Sequence, residues 1–74
     1  MFYNEKILVT AIRNRRLFLN YTQEYVASKL KMSQNAYSKF ELGYVSVTLD
    51  RFYDLCDALE IELEEMLQPA LKAA

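Results

Sequence analysis

Residues 33–39 bring two amides, two hydroxyls and one ammonium into a short stretch: Ser33, Gln34, Asn35, Ser38 and Lys39. Tyr37 and Phe40 lie among and beside them at a spacing that suits one buried helical face. With those rings turned to a core, Gln34, Asn35, Ser38 and Lys39 face outward. Amide side chains can pair bidentately with adenine, and an ammonium can donate to guanine or to a phosphate. The set holds no nucleophile–base arrangement, so it suits groove contacts rather than catalysis.

Other chemistries lack their residues. The chain has no histidine, so the usual general base and the commonest metal ligand are both missing. Cys56 stands alone, which excludes an internal disulfide and any cysteine–histidine zinc cluster. Its place among apolar residues at helical spacing reads as an inert buried thiol. Asp54, Asp57, Glu60, Glu62, Glu64 and Glu65 lack the spacing and the glycine of a calcium loop, and read as a solvated acidic face. We expect no enzyme activity, no metal and no cofactor.

The elements that would position these residues follow from caps and apolar spacing. The chain has 74 residues, 53% hydrophobic and 26% charged, which makes one small globular domain with a thin core. The pattern predicts five helices and no strand, an all-α fold. Leu8, Ala11, Ile12 and Leu19 mark a first helix from Glu5, closed by Asn20 as a left-handed cap. Thr22 caps a second helix carrying Val26, Ala27 and Leu30, and Ser33 caps a third that ends at Gly43. Ser46 or Thr48 starts a fourth helix with Leu49, Phe52, Leu55, Cys56 and Leu59. Leu63, Met66 and Leu67 form a short fifth. Pro69 disfavours helix for the residue before it, so the domain is expected to span residues 5–68, with 69–74 as a C-terminal tail.

Charge divides along the chain. Residues 1–40 carry seven basic side chains against two acidic ones, and residues 41–74 carry two against eight. A basic half beside an acidic half suits a polyanion on one side and solvent or a subunit on the other. The sequence pI of 5.3 means that any nucleic-acid affinity must come from a local surface. No apolar run is long enough to span a bilayer, and the N-terminus lacks the pattern of a secretory signal. No membrane association and a cytoplasmic location are therefore expected.

The second and third helices, joined through Lys31, Met32 and Ser33, have the length and connection of a helix-turn-helix. The run from Thr22 to Gly43 resembles the Cro/phage-repressor (Xre-like) helix-turn-helix family. The matching features are Thr22-Gln23, Val26-Ala27, Leu30, Met32-Ser33, Tyr37-Ser38 and the Glu41-Leu42-Gly43 ending. The likeness extends to Arg16 and to the apolar residues from Leu49 to Met66. It implies a five-helix, lambda-repressor-like DNA-binding domain with a central helix-turn-helix. It also implies site roles. Gln23 matches a position that meets phosphate. Ser33, Gln34, Asn35, Ser38 and Lys39 match recognition-helix positions. Arg16 and Glu41 match a structural salt bridge, and Ala27 the small residue where the two helices approach.

Three departures stand out. Lys31 occupies the turn position where the family usually has glycine, Leu42 replaces an asparagine, and Tyr44-Val45-Ser46-Val47 replaces a basic, proline-containing loop. The lost charge predicts weaker DNA binding, or a protein partner in place of part of the backbone contact. Tyr25 and Tyr44 can offer hydroxyls to phosphates, as Lys29 can offer its ammonium. The expected function is a sequence-specific, repressor-like transcriptional regulator reading double-stranded operator DNA in the major groove. No small-molecule effector is expected. The apolar residues from Ile61 to Leu71 suggest a homodimer through the C-terminal helices. The competing expectation is a protein-interaction module, antitoxin-like or anti-repressor-like.

Overall fold

The computed structural model describes residues 4–73. They form α1 (Glu5–Phe18), α2 (Gln23–Lys29), α3 (Gln34–Glu41), α4 (Leu49–Ala58) and α5 (Leu63–Ala73). Five helices with no strand among the described residues is the all-α architecture expected from the sequence.

The first four helices each begin on a side chain that accepts a free first-turn N–H. Asn4, Thr22, Ser33 and Thr48 accept from the amides of Ile7, Tyr25, Ala36 and Arg51 at 3.0–3.2 Å. Thr48, rather than Ser46, caps α4. These same four helices also end alike. Asn20, Lys31, Gly43 and Glu60 have φ of 60°, 57°, 76° and 57°. Each reversal carries the paired backbone bonds of a Schellman turn, for example Met32 N to Ala27 O and Lys31 N to Ser28 O.

Only one of these left-handed positions is glycine. A side chain there brings Cβ against the following carbonyl, at about 1 kcal/mol or slightly more. Lys31 is exposed and makes no ion pair among the described residues. Lys31→Gly should therefore raise stability by up to ~1 kcal/mol, read as a higher urea midpoint at unchanged slope. A lower midpoint would mean that glycine's gain in unfolded-chain freedom outweighs the relief.

The core draws on every helix: Leu8 and Ile12 from α1, Val26 and Ala27 from α2, Tyr37 and Phe40 from α3, Phe52, Leu55 and Cys56 from α4, and Met66 and Ala70 from α5. Burial pushes the Cys56 thiol up to about 11, so it is a poor nucleophile. α1 packs along α5 and against α3, and α2 packs on α3, with Ala27 of α2 buried in the core.

The last helix differs from expectation. α5 continues through Pro69 to Ala73, so the helix runs past the end that Pro69 suggested and residues 69–73 of the expected C-terminal tail are helical. Proline removes one backbone donor and crowds the carbonyl four residues earlier. The continuation is held by tertiary contact. Ala70 is fully buried in the core, and the Asn4 amide donates to its carbonyl at 3.4 Å. No helix of the described residues is long and apolar enough to cross a membrane.

Candidate nucleic-acid interface

The turn at Leu30–Ser33 sets α3 across α2. Ser33 ends the turn and caps α3, so its Oγ is engaged by the Ala36 amide. Tyr37 and Phe40 point into the core. On the opposite face of α3, Gln34, Asn35 and Lys39 are exposed, and Ser38 is half-buried with Oγ donating to the Asn35 carbonyl at 3.1 Å. Tyr44, past the end of α3, is 73% exposed. Leu42 belongs to the same outward face by spacing, seven residues from Asn35, and is 61% exposed. From sequence Leu42 was noted only as standing where the family usually has asparagine, and its place on this face was not drawn from its spacing.

Behind this face lies a buried charge network. Arg16 and Glu41 meet in a two-point contact, Nε to Oε2 at 2.6 Å and Nη2 to Oε1 at 2.9 Å. Their side chains are only 10% and 3% exposed. Arg16 Nη1 also donates to the Tyr21 carbonyl at 2.9 Å, which locks the α1–α2 turn onto α3. Gln23 Nε2 donates to Glu41 Oε1 at 3.1 Å. Burial works to raise the Glu41 carboxyl, but the hydrogen bonds from Arg16 and Gln23 and the nearby charge of Arg16 oppose it, and the group is held below its ordinary value. The Glu41 carboxylate in turn holds Arg16 above its ordinary value, so the guanidinium stays charged.

Tyr37 sits at the edge of this network. Burial, then the Glu41 carboxylate, holds its phenol far above the usual tyrosine range. Its fully buried Oη makes no hydrogen bond of normal geometry. An unsatisfied buried hydroxyl contributes little or nothing to stability. Tyr37→Phe should therefore shift the thermal midpoint by less than ~1 kcal/mol equivalent in either direction. A loss of 2 kcal/mol or more would show that the hydroxyl is bonded in solution.

The opposite side of the helix pair carries a clamp that sequence reasoning did not find. α4 has no basic residue in its last turn. Arg15 and Lys29 supply the missing cations from other helices. Arg15 donates to the carbonyls of Leu59 (2.9 Å) and Glu60 (2.7 Å) and stacks on Phe18. Lys29 donates to the Ala58 carbonyl at 3.1 Å, lies 3.7 Å from the Glu60 carboxylate, and packs against the rings of Tyr21 and Tyr25. Where Lys29 was expected to meet phosphate, the structure draws its ammonium to the carbonyl end of α4. The Tyr21 hydroxyl donates to Glu60 at 2.5 Å, and this bond pushes the phenol up to about 12. Tyr21 is half-buried against Tyr25, ring centroids 4.6 Å apart.

A helix-turn-helix family model matches residues 12–66. The chain belongs to the Cro/phage-repressor (Xre-like) helix-turn-helix family. It is 33% identical over 55 residues to the cryptic phage CTXphi transcriptional repressor RstR of Vibrio cholerae. That stretch covers 74% of this chain and 49% of the relative, so the chain spans about half the relative's length. In fold it is similar to the crystal structure of the clp gene regulator ClgR from C. glutamicum. The TM-score is 0.86 at 23% identity, over 93% of this chain and 90% of that one. The family match spans α2, its turn and α3.

Proposed function

We propose that the chain is a repressor-like transcriptional regulator that reads operator DNA in the major groove through α3. The observation that carries this reading is the exposed face of Gln34, Asn35 and Lys39 on a short helix anchored from behind by Tyr37, Phe40 and Glu41. Gln34 and Asn35 lie in the first turn of α3, where a recognition helix meets base edges. Ser33 and Ser38 engage the DNA through exposed edges of hydroxyls already bonded to backbone. Gln23 uses its remaining amide hydrogen on phosphate, and Tyr44 its hydroxyl. Repression follows from occupying a promoter site, a role also borne in the name of the RstR relative.

One such module contacts few base pairs, and two-fold dimers on pseudo-palindromic sites supply the rest. We place the homodimer contact on the α4–α5 side. An apolar groove of about 300 Å³ lies there, lined by Leu8, Val47, Leu49, Phe52, Leu63, Leu67 and Leu71. Sedimentation on operator DNA should show two copies of the 8.7 kDa chain per duplex site. One copy per site at every concentration would remove the dimer from the reading.

Exposed Leu42, Tyr44 and Val45 favour the second reading, a module that docks on another protein through this end. Salt separates the two. DNA affinity falls steeply with ionic strength because bound counterions are released, whereas an apolar protein contact is far less sensitive. Selection from random duplexes should yield a defined site whose binding weakens at least tenfold between 50 and 200 mM salt. Recovery of no preferred sequence would favour the protein-docking reading.

A further inference from the structure

The loop after α3, where the family resemblance places a basic backbone contact, carries no charge from Leu42 to Thr48. Four of the nine cations are already occupied. Arg15 and Lys29 close the end of α4, Arg16 pairs with Glu41, and Arg51 lies 3.8 Å from Asp54. Lys6, Arg13, Lys31 and Lys39 are exposed and unpaired among the described residues. Two of these share a surface. Lys6 and Arg13 are seven residues apart on α1, so with Thr10 they form one outward stripe. The rise of a helix separates them by about 10 Å, far enough to engage separate phosphates.

The position of the stripe connects it to the groove-reading helix. Lys6 and Thr10 line a cleft of about 400 Å³ together with Val9, with Glu5, whose carboxylate accepts from the Val47 amide at 3.4 Å, and with Glu41, Leu42 and Gly43 at the end of α3. The Lys6 and Thr10 end of the stripe therefore borders the C-terminal end of α3, and Arg13 lies one turn farther along α1.

We propose that Lys6 and Arg13 form a second phosphate-binding stripe that takes over the backbone contact missing from the loop. The inference rests on the α3 reading above and assigns the DNA backbone beside the half-site to α1. It accounts for a basic N-terminal half in a protein whose loop is uncharged and whose pI is 5.3. The stripe positions the duplex and adds affinity without reading bases.

The test is the double variant Lys6→Gln/Arg13→Gln in the full chain. Binding is measured across 50–200 mM salt on the selected operator and on a scrambled duplex. Affinity for both should fall by the same factor, leaving the specificity ratio unchanged. The slope of log affinity against log salt should flatten by about 2, one unit for each lost phosphate contact. Arg51→Gln, which removes a charge on α4, should leave the slope in place. An unchanged slope in the double variant, with Lys39→Ala still altering specificity, overturns the stripe while α3 recognition stands. A flattening of about 1 in Arg51→Gln, the same per charge removed, would reduce the effect to overall charge and also overturn it. If the unmodified protein shows no salt-dependent DNA binding, the stripe and the α3 reading fall together. Matching thermal midpoints confirm that the variants are folded.

Discussion

Glu41→Ala should lose ~3–5 kcal/mol of stability, because it strands the buried Arg16 guanidinium. Small domains have about 5–15 kcal/mol in total, so the thermal midpoint should fall steeply and much of the population should unfold at 37 °C. Arg16 would keep only its bond to the Tyr21 carbonyl, and Gln23 would lose its acceptor. The pair ties α1, the α1–α2 turn and α3 together, so one substitution loosens three elements. Replacing both partners, Arg16→Met with Glu41→Leu, should lose far less than Glu41→Ala, because no charge remains buried. Thermal melts of the two single variants and the double form the cycle that isolates the coupling.

The same network sets the response to acid. Glu41 titrates below its ordinary value of 4.5 in the fold. A carboxylate depressed in this way stabilises the fold above the unfolded value, and that contribution is lost as pH falls through the folded one. Stability should therefore be steady near neutrality and decline below about pH 4.5. Glu41→Gln should flatten that decline while lowering stability at pH 7. An unaltered acid limb in Glu41→Gln would assign the decline to other carboxylates.

Gln34→Ala and Asn35→Ala should each lose ~1–3 kcal/mol on the preferred operator, roughly five- to hundredfold in affinity, and almost nothing on scrambled DNA. Each should relax preference at one base pair. Lys39→Ala should also reduce the ratio if its ammonium reaches guanine. All three side chains are exposed, so the melting temperature should not move. Tyr44→Phe and Gln23→Ala should weaken every sequence alike, because phosphate contacts carry no sequence information. Gln23→Ala also removes a bond to Glu41, so its stability must be measured beside its affinity. Intact specificity ratios across the three α3 variants would end the operator-reading proposal and leave protein docking in its place.

Local signals were legible because they act over three or four residues. Thr22, Ser33 and Thr48 bond to amides three residues on, and Asn20 and Gly43 close their helices in the left-handed region. Helical spacing placed Tyr37, Phe40 and Cys56 in the core. Pairing Arg16 with Glu41 rested on the family resemblance, since nothing local joins residues 25 apart. The outward set on α3 was readable from the positions of its two rings, but Leu42 was noted only as a replaced asparagine although its spacing extends that face.

Tertiary packing decided what lies farther apart. From sequence Arg15 entered only the charge of the basic N-terminal half, and Lys29 was expected to meet phosphate. The fold places both on the carbonyl end of α4, 29 to 45 residues away, where a helix lacking its own C-terminal cations attracts them. Glu60 looked like one more acidic surface residue until the fold brought Tyr21 and Lys29 to it. Pro69 argued locally for a helix end, yet α5 runs to Ala73 because burying Ala70 against the core outweighs one lost backbone bond. Side-chain chemistry and short-range caps are written in neighbouring residues, whereas the partners of a charge depend on which helix ends the packed core brings within reach.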